Sequence, residues 1–593
     1  MTRIVTINII FSKENLAFES FTPVIRYLFD KDTRRIQDYY EFARYLNPEF
    51  EKLVDSPKLS ITSATQFKDR IRFTHFSKIY YVFNFLIESI LNKSRKDSEY
   101  FEIHLLNCNE MIEYDVMFVD HFIERIKHGE LPVTLKFDEH HPRLKNVSYV
   151  NENTIRNKVK FSPESFWVKD NKVKMFQRAM NLFLYEDAIR LGKELFHSTV
   201  DLNEKCVIAD RIGIANVLYD RTDVGEDYYN YVLEQKCTPD IKVSVLYKLS
   251  MLYLRHHPSE KRDAQRGESY LIAASELIEE NKEALGENYI FHKVFNRNGY
   301  SLVLYRKGDM ETAHHYCIDG HEQILRHYGP IKHILHRSVL MYNSTLTAIG
   351  LEDYEQAFKQ FDYLLDMDPY YPNYWSARAE LHKKLGQFDK SIQDFSHAIE
   401  LNPFSERLRC ARGIVYETMG ELEKATEDYV KALDLNPNHA DSLMNYGVLL
   451  LNENNLDQAL AVFVKLSRLN TSKKHEVYNN IGVVFLEKGQ IERAIEGFQE
   501  ALKFKSDFST AIVNQAIAYF KQSKYQKALD QMNMALSLES HMDYLYNRAF
   551  LFNKMGQMEA SLADINELLK QDPDHYDALE LKKEIENNFE KSY

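Results

Sequence analysis

Asn445, Asn480, Asn514 and Asn547 recur at intervals of 33 to 35 residues, with Asn343 in an equivalent earlier place and Ala377 and Ala411 interrupting the row. An asparagine amide both donates and accepts hydrogen bonds, so it matches a peptide unit whatever side chain that unit carries. Each such bond contributes about 0.5–1.5 kcal/mol net. Four of them do not make tight binding once ligand ordering is subtracted. Side-chain pockets around Met444, Tyr546 and Phe550 are therefore expected to add affinity. The competing reading is that asparagine is simply common at this place and holds nothing.

Other chemistries find little support. Six histidines lie within 314–336 (His314, His315, His321, His327, His333, His336). A zinc site would set two or three on one helix face beside a carboxylate. His314 forms no i, i+4 pair with Asp319 or His321, so the cluster reads as exposed polar helix positions, and DEHHP (138–142) as a solvated turn. Cys108, Cys206, Cys237, Cys317 and Cys410 lie far apart without paired spacing, as in a reduced protein rather than a disulfide framework. No GxSxG, HExxH, nucleotide-binding or paired-carboxylate signature is present. We expect no catalytic residue, metal or cofactor, hence no enzyme.

Bulk composition narrows the partners. Charged residues make 27% of the 593, hydrophobic ones 44%, an ordinary globular balance. The net charge of −13 comes without any block of like charge, which disfavours nucleic acid. No apolar run approaches the roughly 20 residues that cross a bilayer. The opening MTRIVTINIIF reads as a strand, since Lys13 and Glu14 follow at once without a cleavage site. A cytoplasmic location is expected. The 38 tyrosines and 36 phenylalanines read as inter-helix packing rather than a base-stacking platform.

The elements that position the asparagines are legible in a self-similar stretch. EDYEQAFKQFDYLLDMDP (352–369), GQFDKSIQDFSHAIELNP (386–403) and GELEKATEDYVKALDLNP (420–437) close on Pro369, Pro403 and Pro437, 34 residues apart. Small residues recur in a first helix (Ala379, Gly413, Gly447, Gly482, Ala516, Ala549) and twelve positions later in a second (Ser391, Ala425, Ala459, Ala494, Ala528, Ser561). Between them stands a turn residue: Gly386, Gly420, Asn454, Gly489, Ser523 or Gly556. Each asparagine of the row lies two residues before a first-helix small residue. Period and residue types resemble the tetratricopeptide repeat, a pair of antiparallel helices that must stack on its neighbours to bury its faces.

The resemblance implies a mainly α fold, a right-handed superhelical α-solenoid of helical hairpins. It also implies that the asparagine position faces the inner groove, like the ladders that grip peptide backbones in O-linked N-acetylglucosamine transferase and in chaperone-binding repeat proteins. A clamp for a terminal carboxylate would need Lys and Arg beside the asparagines. Asp441, Glu476, Glu487 and Asp543, mixed with Lys521 and Lys554, disfavour it.

Residues 1–150 differ from the rest. RIVTINIIF (3–11), EYFEIHLLNC (99–108) and LPVTLKF (131–137) read as strands, the second of them buried. Residues 75–94 and 113–129 read as helices, with helix-leaning segments at 33–46 and 78–92, giving a parallel α/β unit. Strand, acidic helix and strand ahead of a helical array resemble part of the STAND-type regulatory ATPases. That resemblance implies a phosphate loop, yet residues 1–128 contain no glycine, and Asn107 stands where a metal-binding Asp is expected. The expected organisation is an α/β domain (1–150), a linker (151–172), divergent repeats (173–340), a regular array (341–577) and a capping helix (578–593). MFQRAMNLFLYEDAIRLGKELF (175–196) reads as a worn repeat, and Gly299 with Ala313 restores the small positions.

The sequence thus points to a non-catalytic scaffold or adaptor. Its groove would hold a protein or extended peptide through Asn343, Asn445, Asn480, Asn514 and Asn547, without nucleic acid or membrane. A regulator of STAND descent with lost or atypical nucleotide binding is one alternative. An accessory protein presenting peptides to a modifying enzyme is another.

Overall fold

A computed structural model describes residues 3–10, 21–29, 42, 43, 46, 80–97, 99–106, 111, 113–128, 133–137, 172–181 and 184–591. The expected linker up to residue 171, most of the helix-leaning 33–46, DEHHP, Asn107 and Cys108 lie outside them. The chain divides into two compact units, residues 1–408 and 409–593.

The first unit opens on an α/β layer pair. Strands β1 (Arg3–Ile10), β2 (Glu99–Leu106) and β3 (Val133–Phe137) pair in parallel in the order β1-β2-β3, with Ile7 opposite Ile103 and Ile103 opposite Leu135. Helices α1 (Thr22–Phe29) and α2 (Tyr80–Asp97) lie between the first two strands, and α3 (Glu113–His128) between the last two. Because strand order follows chain order, right-handed crossovers carry the helices to the same side. Val24, Ile90, Phe118 and Phe122 accordingly meet Ile9, Ile103 and Leu105 in one apolar cluster. Along β2, Phe101, Ile103 and Leu105 are buried while Tyr100 and Glu102 are half-exposed. The strand expected to be buried outright is buried on one face only, because this three-stranded order leaves its other face without a helix among the described residues.

Helical hairpins follow from Lys172–Asn181 onward. In the worn repeat at 175–196, Phe176, Tyr185 and Ala188 are buried. Helices Leu202–Leu218 and Thr222–Glu234 form a hairpin in which a Cβ on Gly213 would lie 2.5 Å from the Tyr229 ring. Helix Pro239–Met251 runs into a π turn, Leu252–His256, closed by the His257 N–H on the Leu252 carbonyl at 2.9 Å. Beside it the Tyr253 hydroxyl donates to Glu226 at 2.5 Å.

From Tyr354–Met367 the hairpins become regular. The recurring small residues of both helices are buried. Where the second-helix residue is serine it also ties the hairpin: Ser391 Oγ donates to the Ala379 carbonyl at 2.8 Å, and Ser561 Oγ to that of Ala549 at 2.6 Å. A Cβ on Gly482 would stand 2.5 Å from the Phe498 ring, so the aromatic of the second helix lies on the bare backbone of the first. First helices end in one shared turn. At Gly386 (φ 70°) the Gln387 N–H reaches back to the His382 carbonyl and the Gly386 N–H to that of Lys383. This is the 6→1 and 5→2 pairing that satisfies the last orphan carbonyls of a helix. Asn454 (φ 61°) and Ser523 (φ 59°) make the same left-handed turn without glycine.

Candidate ligand-binding face of the repeat array

Five first helices carry the candidate face: Glu406–Thr418, Ala440–Asn452, Lys474–Glu487, Ser509–Lys521 and Met542–Lys554. The second to the fourth of these touch in succession, more closely than any second helix approaches the next. The stack therefore closes on its first-helix side, where the asparagines lie.

Asn445, Asn480, Asn514 and Asn547 are all half-buried at the same place of successive first helices. Their amide nitrogens are largely committed. Asn445 Nδ2 donates back to Cys410 Sγ at 3.8 Å, Asn480 Nδ2 to Met444 Sδ at 3.5 Å, and Asn514 Nδ2 to Asn479 Oδ1 at 2.9 Å. Asn480 Oδ1 is also met by Asn479 Nδ2 at 3.4 Å. Asn547 makes no side-chain hydrogen bond among the described residues. In the first unit, Asn343 Nδ2 donates to the buried Asn298 Oδ1 at 2.8 Å. The expected amide with both halves open is thus realised differently: the donor half braces one repeat against the preceding one. The carbonyl oxygens of Asn445, Asn514 and Asn547 remain to accept.

Three residues beyond each of these places runs a second row that sequence reasoning passed over: Ile414, Val448, Val483, Ile517 and Phe550, every one half-buried. Residues three apart on a helix are surface neighbours, so amide row and apolar row share one face. The signal was available, because each apolar residue directly follows a first-helix small residue. Of the expected pockets, Met444 is buried beneath Asn480, while Tyr546 and Phe550 are half-buried. Phe550 meets the Phe520 ring at 5.6 Å and carries the Lys554 ammonium at 5.1 Å. Asp441, Glu487, Lys521, Asp543 and Lys554 are exposed, and Asp441 is paired with Lys473 at 3.3 Å.

Tetratricopeptide-repeat family models match residues 372–405, 407–439, 429–461, 475–508 and 543–575. These segments are tetratricopeptide repeats. No curated protein matches the chain. Among solved structures, PilF of Pseudomonas aeruginosa is 20% identical with a TM-score of 0.33, over 36% of this chain and 97% of its own. PilW, described as a widely conserved type IV pilus biogenesis factor, is 18% identical with a TM-score of 0.34, over 35% and 97%. YrrB, described as a TPR protein with an unusual peptide-binding site, is 22% identical with a TM-score of 0.26, over 32% and 97%. The repeats support a protein-interaction scaffold.

Within the tetratricopeptide repeats a charge pair recurs that sequence reasoning also missed. Arg378 grips Asp394 through Nε and Nη2 at 2.8 Å each, Arg412 grips Asp428 at 2.7 and 2.8 Å, and Arg548 grips Asp564 at 2.7 and 2.8 Å. Each pair closes within one hairpin, sixteen residues apart. Where the arginine is absent, at Tyr446, Ile481 and Gln515, the partner is Val462, Gly497 and Gln531, never an acid. That joint change was readable once the period was known.

The histidines of 314–336 do not all lie at the surface. His321 and His336 are buried, and His336 packs edge-on against Phe291 at 4.6 Å and Phe295 at 4.9 Å. Burial, then the neighbouring His333, drives the His336 pKa well below its ordinary value, and burial lowers that of His321. These rings fill an aromatic seam, a role that the polar character of histidine conceals in sequence. Among the described residues no group of three His, Cys, Asp or Glu could hold a metal ion, and no helix is long and apolar enough to cross a membrane.

Proposed function

We propose that the first-helix face of residues 406–554 binds an extended peptide or protein segment, and that the chain is a non-catalytic adaptor. The pairing of the asparagine row with the apolar row on one helical face carries this reading. Asparagine carbonyls accept from ligand N–H groups, and the Ile414–Val448–Val483–Ile517–Phe550 row takes apolar side chains. Neighbouring helices lie about 8–10 Å apart and an extended chain rises about 3.3 Å per residue. Successive apolar anchors of the ligand would therefore fall about three residues apart. Mixed charges on the rim suit a ligand of low net charge. Residues 1–150 would dock a second partner or regulate the first.

Random-peptide display against the full chain tests this. Selected peptides should carry apolar residues at that spacing. The Asn514→Ala/Asn547→Ala variant, which removes two of the carbonyls left to accept, should bind them about tenfold more weakly, the loss of two hydrogen bonds at about 0.7 kcal/mol each. Peptides held equally by the variant and the parent would show that the asparagines serve only to brace the stack.

A further inference from the structure

Phe404 stands in the turn between helices Phe388–Leu401 and Glu406–Thr418. The equivalent residues of sister turns, Tyr370, Asn438 and Asp507, are exposed to solvent. Phe404 is only 5% exposed. The α/β layer pair at the start of the same unit covers it. The Phe404 ring meets Phe42 edge-on at 5.0 Å and Phe85 at 5.5 Å. Its carbonyl accepts from Asn84 Nδ2 at 3.3 Å, and Ser405 Oγ donates to the Tyr81 hydroxyl at 3.3 Å.

The amide that reads the carbonyl is itself built in. Asn84 is 1% exposed, and its Oδ1 accepts from His121 Nε2 at 2.8 Å and Arg125 Nη1 at 2.9 Å. Arg125 in turn pairs with Glu88 at 2.6 Å. With its oxygen held twice, Asn84 can offer the turn only its N–H. A buried amide aimed at a backbone carbonyl, beside a slot walled by two rings, forms a site for one conformation of one short motif. Leaving that amide without a carbonyl would strand a buried donor, at the desolvation cost such groups carry.

We propose that the α/β layer pair is a recognition site for an aromatic-hydroxyl turn, filled in cis by Phe404 and Ser405. It would open to a protein segment that likewise presents an aromatic residue followed by a small hydroxyl residue. The occupant on the same chain acts at an effective concentration of up to the order of mM. A competing segment therefore succeeds only through better contacts or high local concentration, and the site behaves as a latch that such a partner releases.

The test uses the full chain and a fluorescent peptide of residues 399–408, beside the same peptide with alanine replacing its phenylalanine. Wild type should take up little of either. Phe404→Ala, which empties the slot, should bind the native peptide at least tenfold more tightly than wild type does, and the alanine peptide no better. Adding Asn84→Ala should remove that gain. Hydrogen exchange of β2 reports whether the α/β layer pair stays folded. If it opens in Phe404→Ala, Phe404→Leu is read instead, with a smaller gain of the same sign. Uptake no greater than that of wild type in the folded variant, or equal uptake of both peptides, would overturn the proposal.

Discussion

The sheet-bearing layer pair and the repeat array bury the same kinds of side chain by opposite routes. In the sheet, Ile7 lies against Ile103 and Ile103 against Leu135, residues that only chain topology brings together. In the array the contacts that define a hairpin are local, such as Gly482 under Phe498 or Arg412 on Asp428, sixteen residues apart. A core of distant partners is won or lost as a whole, whereas local contacts add up repeat by repeat. The same difference decides what a mutation reaches.

The largest effect should come from Arg125→Met. It removes one of the two donors on Asn84 and leaves the poorly exposed Glu88 without its partner, and stranding a buried charge costs about 3–5 kcal/mol. Hydrogen exchange should show β1 to β3 losing protection together while 409–591, in the second unit, keeps its own. Equal loss in both regions would erase the contrast.

Acid should be felt in both regions. Burial, then Arg125, holds the His121 pKa down at about 3, and that of His336 is also well depressed. A depressed folded pKa favours the neutral ring. The stability these groups confer is therefore complete above their unfolded value near 6.5 and is lost as pH falls from there toward the folded values. Urea midpoints between pH 7.5 and 4.5 should decline. His336→Phe should flatten the decline for the repeats alone, and His121→Phe for the sheet alone.

Gly482→Leu should cost about 1–3 kcal/mol by overpacking against Phe498 and the Ala494 carbonyl. Exchange should quicken in 440–538 and stay unchanged in β2. The smallest effect is a gain. Ser523→Gly relieves a left-handed backbone at φ 59°, and a rise of about 0.5–1 kcal/mol in thermal or urea unfolding is expected after the added chain entropy of glycine is subtracted.

The same division explains how much could be read beforehand. Turn residues such as Gly386 and Asn454, and the small residues twelve apart, were legible because each is fixed by neighbours in its own hairpin. Gly213 beneath Tyr229 obeys the same rule in the divergent part, yet went unread because flanking spacing is looser. The π turn at Leu252–His256 stores a surplus residue that no 3.6-residue pattern anticipates. One-sided burial of β2 was open to reading in its alternation, but its helix coverage depends on strand order. At the candidate face the asparagines were visible. Their donors' commitment was not, since it depends on what the preceding repeat places opposite: Cys410, Met444 or Asn479.

The bidentate arginine–aspartate grips close inside single hairpins and stiffen them, whereas the seams between hairpins combine apolar contact with single polar links, such as Arg378 on Asp362 at 2.7 Å, Arg548 on Asn533 at 2.9 Å and Lys473 on Asp441 at 3.3 Å. Under tension such a stack yields first at its seams, lengthening like a coil while the hairpins hold. Added salt would screen the exposed links at the joints more than the largely buried grips inside the hairpins, so ionic strength would loosen the same places that tension opens first.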